Sequence, residues 1–77
     1  MSELDKDKIL QQLGLRIKKL RLLQNLSRYQ LAFEIGTSEK HIRQIENGEI
    51  NTSVFKIYQI ANALEIKPEE IIKAGKK

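Results

Sequence analysis

The chain has 77 residues, enough for one small domain and no second core. Its 14 Lys and Arg against 10 Asp and Glu leave a net charge of +4, which permits a polyanionic partner without requiring one. It has no Cys, so a disulfide framework and a thiolate metal site are excluded, and no apolar run approaches the ~18 residues that a membrane span needs.

Residues 1–8 are mostly charged and read as a loose N-terminal segment. They lack the basic region and apolar stretch of a signal peptide, so a cytoplasmic, reducing compartment fits. The helical body is expected over 9–73, with a short basic tail at 74–77 that ends in Lys76 and Lys77. Ile9, Leu13, Ile17 and Leu20 fall on one face of a first helix ending near Leu23. Gln24 and Asn25 form its exit, with Asn25 suited to the left-handed position after a helix. Ser27 caps a second helix and Gln30 completes a capping box. Leu31, Ala32 and Ile35 form that helix's inner stripe, and Gly36 ends it. Ser38 caps a third helix with Ile42 and Ile45 inward, stopped at Asn47-Gly48. A polar loop leads to a fourth helix, started by Thr52 or Ser53, with Val54, Ile57, Ile60, Ala61 and Leu64 inward. Pro68 suits the first position of a last short helix through Ile71. No window alternates with period two over a strand's length, so the fold class is all-α, a compact bundle of five short helices.

The second and third helices carry the functional signal. Each is under three turns, and only Gly36-Thr37-Ser38 joins them. Such a connection forces a steep crossing and leaves the outer face of the third helix away from the core. That face carries Glu39, Lys40, Arg43 and Gln44, with His41 beside them. Lys and Arg suit guanine edges or phosphates, Gln suits adenine, and a helix fits the major groove of duplex DNA.

Four segments then form a specific pattern: Ile17-Lys18-Lys19-Leu20-Arg21, Leu26-Ser27-Arg28-Tyr29-Gln30-Leu31-Ala32, Ile42-Arg43-Gln44-Ile45-Glu46-Asn47-Gly48 and Ile57-Tyr58-Gln59-Ile60-Ala61-Asn62-Ala63-Leu64. Together they resemble the phage repressor/Cro-like helix-turn-helix family, the XRE family, over about residues 13–72. The resemblance implies a lambda-repressor-like DNA-binding domain with a recognition helix at Ser38–Glu46. It implies base contacts from Glu39, Lys40 and Gln44 with Arg43 nearby, and phosphate contacts from Arg28, Asn47, Asn51 and Thr52. It also implies that Arg21 and Glu46 are a buried structural ion pair and not active-site groups. The chain departs from the family where Arg28 and Glu39 stand at frequent Gln positions, Thr52 at a common Pro and Glu65 at a common Gly.

Other features have plainer readings. His41 is the sole His and has no partners for a metal cluster or a triad, so it reads as solvated or phosphate-facing. Lys18 and Lys19 are the wet face of a helix. Leu15 and Leu22 on the first helix, and Tyr29 and Phe33 on the second, face away from the inner stripes and form a candidate partner surface. The leading expectation is a sequence-specific transcription regulator of prokaryotic or phage type, repressor-like, binding double-stranded DNA as a homodimer on a palindromic site. The alternative is a protein-interaction module that uses a helix-turn-helix fold against a toxin or another regulator. No paired carboxylates, nucleophile–base set or phosphate loop points to an enzyme, and no cofactor or metal is expected.

Overall fold

The computed structural model describes residues 4–72, which form five helices and no strand: α1 (Lys6–Leu23), α2 (Arg28–Ile35), α3 (Glu39–Glu46), α4 (Val54–Ala63) and α5 (Pro68–Ile72). The tail at 74–77 lies outside the described residues.

Each helix begins where a short polar side chain meets free backbone N–H groups. Asp5, Ser27, Ser38 and Ser53 are the N-caps of α1 to α4, each accepting a hydrogen bond from the backbone N–H three residues on. Ser27 and Gln30 form the full capping box. Asp5 moves the start of α1 to Lys6, so residues 6–8 are helical and not loose as expected; Asp7 in the first turn and Arg21 in the last also suit the helix dipole. Ser53, not Thr52, caps α4. Asn25 (φ 59°) and Gly36 (φ 72°) supply the left-handed turns after α1 and α2. Glu65 takes the same conformation (φ 57°) after α4, without the freedom that glycine would bring.

The packing order follows from the inner stripes. α1 lies against α3 and α5, α2 against α3 and α4, and α4 against α5. Ile17, Leu31, Ile42, Ile60, Leu64 and Ile71 meet in one fully buried core that draws on all five helices. Burying side chains of this size stabilises the fold by about 1.5–3 kcal/mol each. Long polar side chains fasten the ends: Arg16 Nε donates to the Glu70 carbonyl at 2.9 Å, and the Gln24 side-chain amide donates to the Leu64 carbonyl.

Two residues expected inside are not. Ile9 is 46 % exposed, because α1 begins before the bundle does and its first turns reach past the other helices. Val54 is 70 % exposed, because it is the first residue of α4 and its turn projects beyond the core reached by Ile57 and Ile60.

Gly14 sets the distance between α1 and α3. A Cβ there would lie 2.7 Å from the Glu46 carbonyl carbon, and closer still to the carbonyl oxygens of Ile45 and Glu46. Only a residue without a side chain lets α1 cross the last turn of α3 this closely.

Candidate nucleic-acid interface

α2 and α3 meet across Gly36-Thr37-Ser38, with the Thr37 N–H returning to the Ala32 carbonyl at 2.9 Å. This short turn fixes α3 on the core through Ile42, Ile45 and Glu46, all buried. At 100° per residue, Lys40, Arg43, Gln44 and Asn47 then occupy an arc of about 100° on the opposite side, with Glu39 and His41 as its two flanks. Lys40, Arg43, Glu39 and Asn47 are exposed, and Gln44 and His41 are half-buried. Eight residues make a helix about 12 Å long, comparable to the width of the major groove.

The backbone-facing residues behave less uniformly. Asn51 is exposed in the loop before α4. Asn47 donates through Nδ2 to Glu49 Oε2 at 3.3 Å, a surface bond that a phosphate oxygen can replace. Thr52 is placed differently from the expectation: its hydroxyl oxygen is buried and has no hydrogen-bond partner, so in this conformation it does not present itself to a phosphate. Arg28 stands at the start of α2, but its Nε donates to Glu46 Oε1 at 3.0 Å. The same carboxylate receives Arg21 Nε at 2.6 Å and Arg21 Nη2 at 3.0 Å, while Arg21 Nη1 donates to the Leu26 carbonyl at 2.7 Å. Arg21 and Glu46 are therefore a buried pair between α1 and α3, and Arg28 is a third, more exposed member.

The outer apolar residues fall into separate groups. Tyr29 and Phe33 are exposed on α2 with their rings stacked at 6.5 Å. Leu15 and Leu22 are exposed on α1, but α1 and α2 share no extended packing that would merge the two pairs into one face. A third group was not anticipated. Val54, Phe55 and Tyr58 are exposed on α4, beside a shallow hollow lined by Tyr58, Ala61, Asn62, Ile66 and Pro68. The signal was present in the sequence, since Phe55 and Tyr58 lie three apart and off the stripe of Ile57, Ile60, Ala61 and Leu64. No helix among the described residues is long and apolar enough to cross a membrane.

The helix-turn-helix family model HTH_3 matches residues 17–71. The chain is 33 % identical over 60 residues to the control protein C.BamHI of Bacillus amyloliquefaciens, covering 77 % of this chain and 74 % of that one. Among solved structures it is similar to the restriction-modification controller protein C.AhdI from Aeromonas hydrophila, with 35 % identity and a TM-score of 0.79 over 80 % of this chain and 94 % of that one. It is also similar to an HTH_3 family transcriptional regulator from Vibrio cholerae, with 27 % identity and a TM-score of 0.81 over 87 % of this chain but 38 % of that one.

Proposed function

The chain belongs to the HTH_3 helix-turn-helix family and is a DNA-binding transcription regulator, and we propose that it reads the major groove with α3 as a homodimer on a palindromic operator. One observation carries the reading: Lys40, Arg43, Gln44 and Asn47 share the outer stripe of a short helix whose other side is locked into the core. Lys40 and Gln44, with Glu39 and Arg43, contact base edges. Arg28, Asn47 and Asn51 meet phosphates, and His41 lies at the margin of the stripe. The likeness to two control proteins, one of them a restriction-modification controller, supports a role in regulating the expression of such a system from the cytoplasm.

The dimer follows from size. A helix of eight residues reaches only a few base pairs, and one small module buries about 600–1,000 Å² against DNA, too little to single out one operator in a genome. Two copies on a twofold axis place their recognition helices ~34 Å apart on inverted half-sites. The interface must then lie beside α3 and leave its outer stripe free. The apolar group on α4 (Val54, Phe55 and Tyr58) is the candidate, because it is exposed on a helix other than α3 and so leaves the outer stripe free.

A second reading is favoured by Tyr29 and Phe33, exposed and stacked on α2: the regulator also docks a protein partner there, with Leu15 and Leu22 on α1 as a separate exposed pair. The test of the main reading is selection of bound sites from a random duplex pool, followed by stoichiometry on the selected site by native mass spectrometry. A palindromic motif with two chains per duplex is expected, and Phe55→Glu should reduce binding on that site. One chain on an asymmetric motif would refute the dimer.

A further inference from the structure

The network around Glu46 has an unbalanced charge. Two arginines share one carboxylate, so Arg21, Arg28 and Glu46 together carry +1. The Glu46 side chain is fully buried and that of Arg21 is 6 % exposed, while that of Arg28 is 26 % exposed and forms the outer edge of the group. No second carboxylate reaches either arginine among the described residues. Excess positive charge beside a low-dielectric core is costly unless an anion balances it.

Arg28 is also unusual for its position. It is the first residue of α2, a helix with no acidic residue in its first turn, and a cation there opposes the helix dipole. Glu46 compensates by holding Nε. A guanidinium is a planar fork, so fixing Nε against a carboxylate fixes the direction of both Nη groups. Among the described residues those Nη groups donate to no protein acceptor. The free end of the fork therefore leaves the core at the start of α2, beside the helix whose outer stripe faces DNA.

We infer that Glu46 is a positioning residue for DNA binding: it aims Arg28 so that the free Nη groups grip one backbone phosphate, which supplies the missing negative charge of the network. Nothing is transferred; one phosphate oxygen replaces the water around Nη. Arg21 keeps Glu46 in place, so a group inside the core sets the geometry of a contact outside it. The inference depends on the chain binding duplex DNA, and the test separates the two.

The test uses the full chain and a duplex selected from a random pool, with melting of the free protein measured in parallel. Arg28→Lys keeps the charge, but a single ammonium cannot serve Glu46 and a phosphate in the same fixed geometry. Its binding should be about tenfold weaker, while the free protein melts close to the parent. Arg28→Ala should also flatten the log–log salt dependence by about 0.9 per chain, the value of one lost phosphate contact. In a second arm, half-site phosphates are replaced one at a time by neutral methylphosphonates. One replacement should weaken the parent and leave Arg28→Ala unaffected. Glu46→Gln, where it folds, should lose no further affinity when Arg28→Ala is added; where it does not fold, the other two arms decide. Parent-like binding by Arg28→Lys, or a methylphosphonate scan in which no position is silenced by Arg28→Ala, would overturn the inference. A parent that binds no duplex would instead overturn the DNA-binding reading and this inference with it.

Discussion

Gly14→Ala tests the close crossing of α1 and α3. In an isolated helix the change is favourable, since Ala exceeds Gly by about 1 kcal/mol at an interior position. Here the added methyl would sit 2.7 Å from the Glu46 carbonyl carbon and closer to two carbonyl oxygens. These are backbone atoms of the last turn of α3, tied by the hydrogen bonds Asn47 N–H to Arg43 O (2.9 Å) and Gly48 N–H to Ile45 O (3.1 Å). No side chain can swing aside, so the whole helix end must shift. Overpacking of a well-filled site costs about 1–3 kcal/mol, and a backbone obstacle places this one at the upper end, about 3. The net loss is about 2 kcal/mol. For a domain of this size each kcal/mol moves the melting temperature by about 4–8 °C, so a fall of roughly 8–16 °C is expected. Thermal unfolding followed by circular dichroism reads this directly. Gly36→Ala is the contrast: nothing lies within 4 Å of its added methyl, and its cost is the positive φ of 72° alone. That strain of about 1–2 kcal/mol is partly offset by a stiffer unfolded chain, leaving about 0.5–1. A Gly14→Ala protein as stable as the parent, or more stable than Gly36→Ala, would show that α1 and α3 do not pack this closely.

Three further outcomes are expected. Arg21→Ala should destabilise the free protein by about 3–5 kcal/mol, because it leaves buried Glu46 with only its outer partner and the Leu26 carbonyl without its donor; an unchanged denaturation midpoint would place Arg21 outside the core. Glu65→Gly should raise stability by about 0.5–1 kcal/mol, since it removes the strain of a side chain at φ 57° at a smaller entropic cost; a lower melting temperature would mean that Glu65 makes a compensating contact. Lys40→Ala and Gln44→Ala should each relax preference at particular base pairs by ~1–3 kcal/mol while the fold is retained; site selection that returns the parent motif from both variants would remove them from base reading.

The elements that the sequence disclosed are those governed by local chemistry. Ser27, Ser38 and Ser53 cap helices because a hydroxyl can satisfy a backbone N–H three residues away, whatever the rest of the chain does. Asn25 and Gly36 mark turns for the same kind of reason. The stripe of Lys40, Arg43 and Gln44 was legible because helical period alone separates it from Ile42 and Ile45. Features that depend on a neighbouring helix were not legible from local pattern, and the buried Arg21–Glu46 pair was reached only through the family resemblance. Gly14 reads as a weak spot in a helix until α3 is seen lying against it. Val54 has the spacing of an inner residue, but periodicity does not show how far the core extends past the first turn of α4. The bond from Arg28 to Glu46 was not legible because it spans 18 positions of sequence. The buried Thr52 hydroxyl is likewise a product of how the loop folds back before α4.

The arrangement also bears on how so small a chain can bind DNA selectively. The proposed recognition helix is held by parts of the core on its entire inner side: Ile42 and Ile45 in the apolar cluster, Glu46 in the ion pair, and the last turn against Gly14. A recognition helix fixed in this way loses little freedom on binding, so more of each base contact survives as affinity and discrimination. The arrangement has a corollary for mutation. Substitutions of Lys40 and Arg43 on the outer stripe should change DNA binding with little effect on stability, since both side chains are exposed. Substitutions at Gly14, Arg21 or Glu46 should change both together, because they move the platform that carries the proposed base-contacting residues.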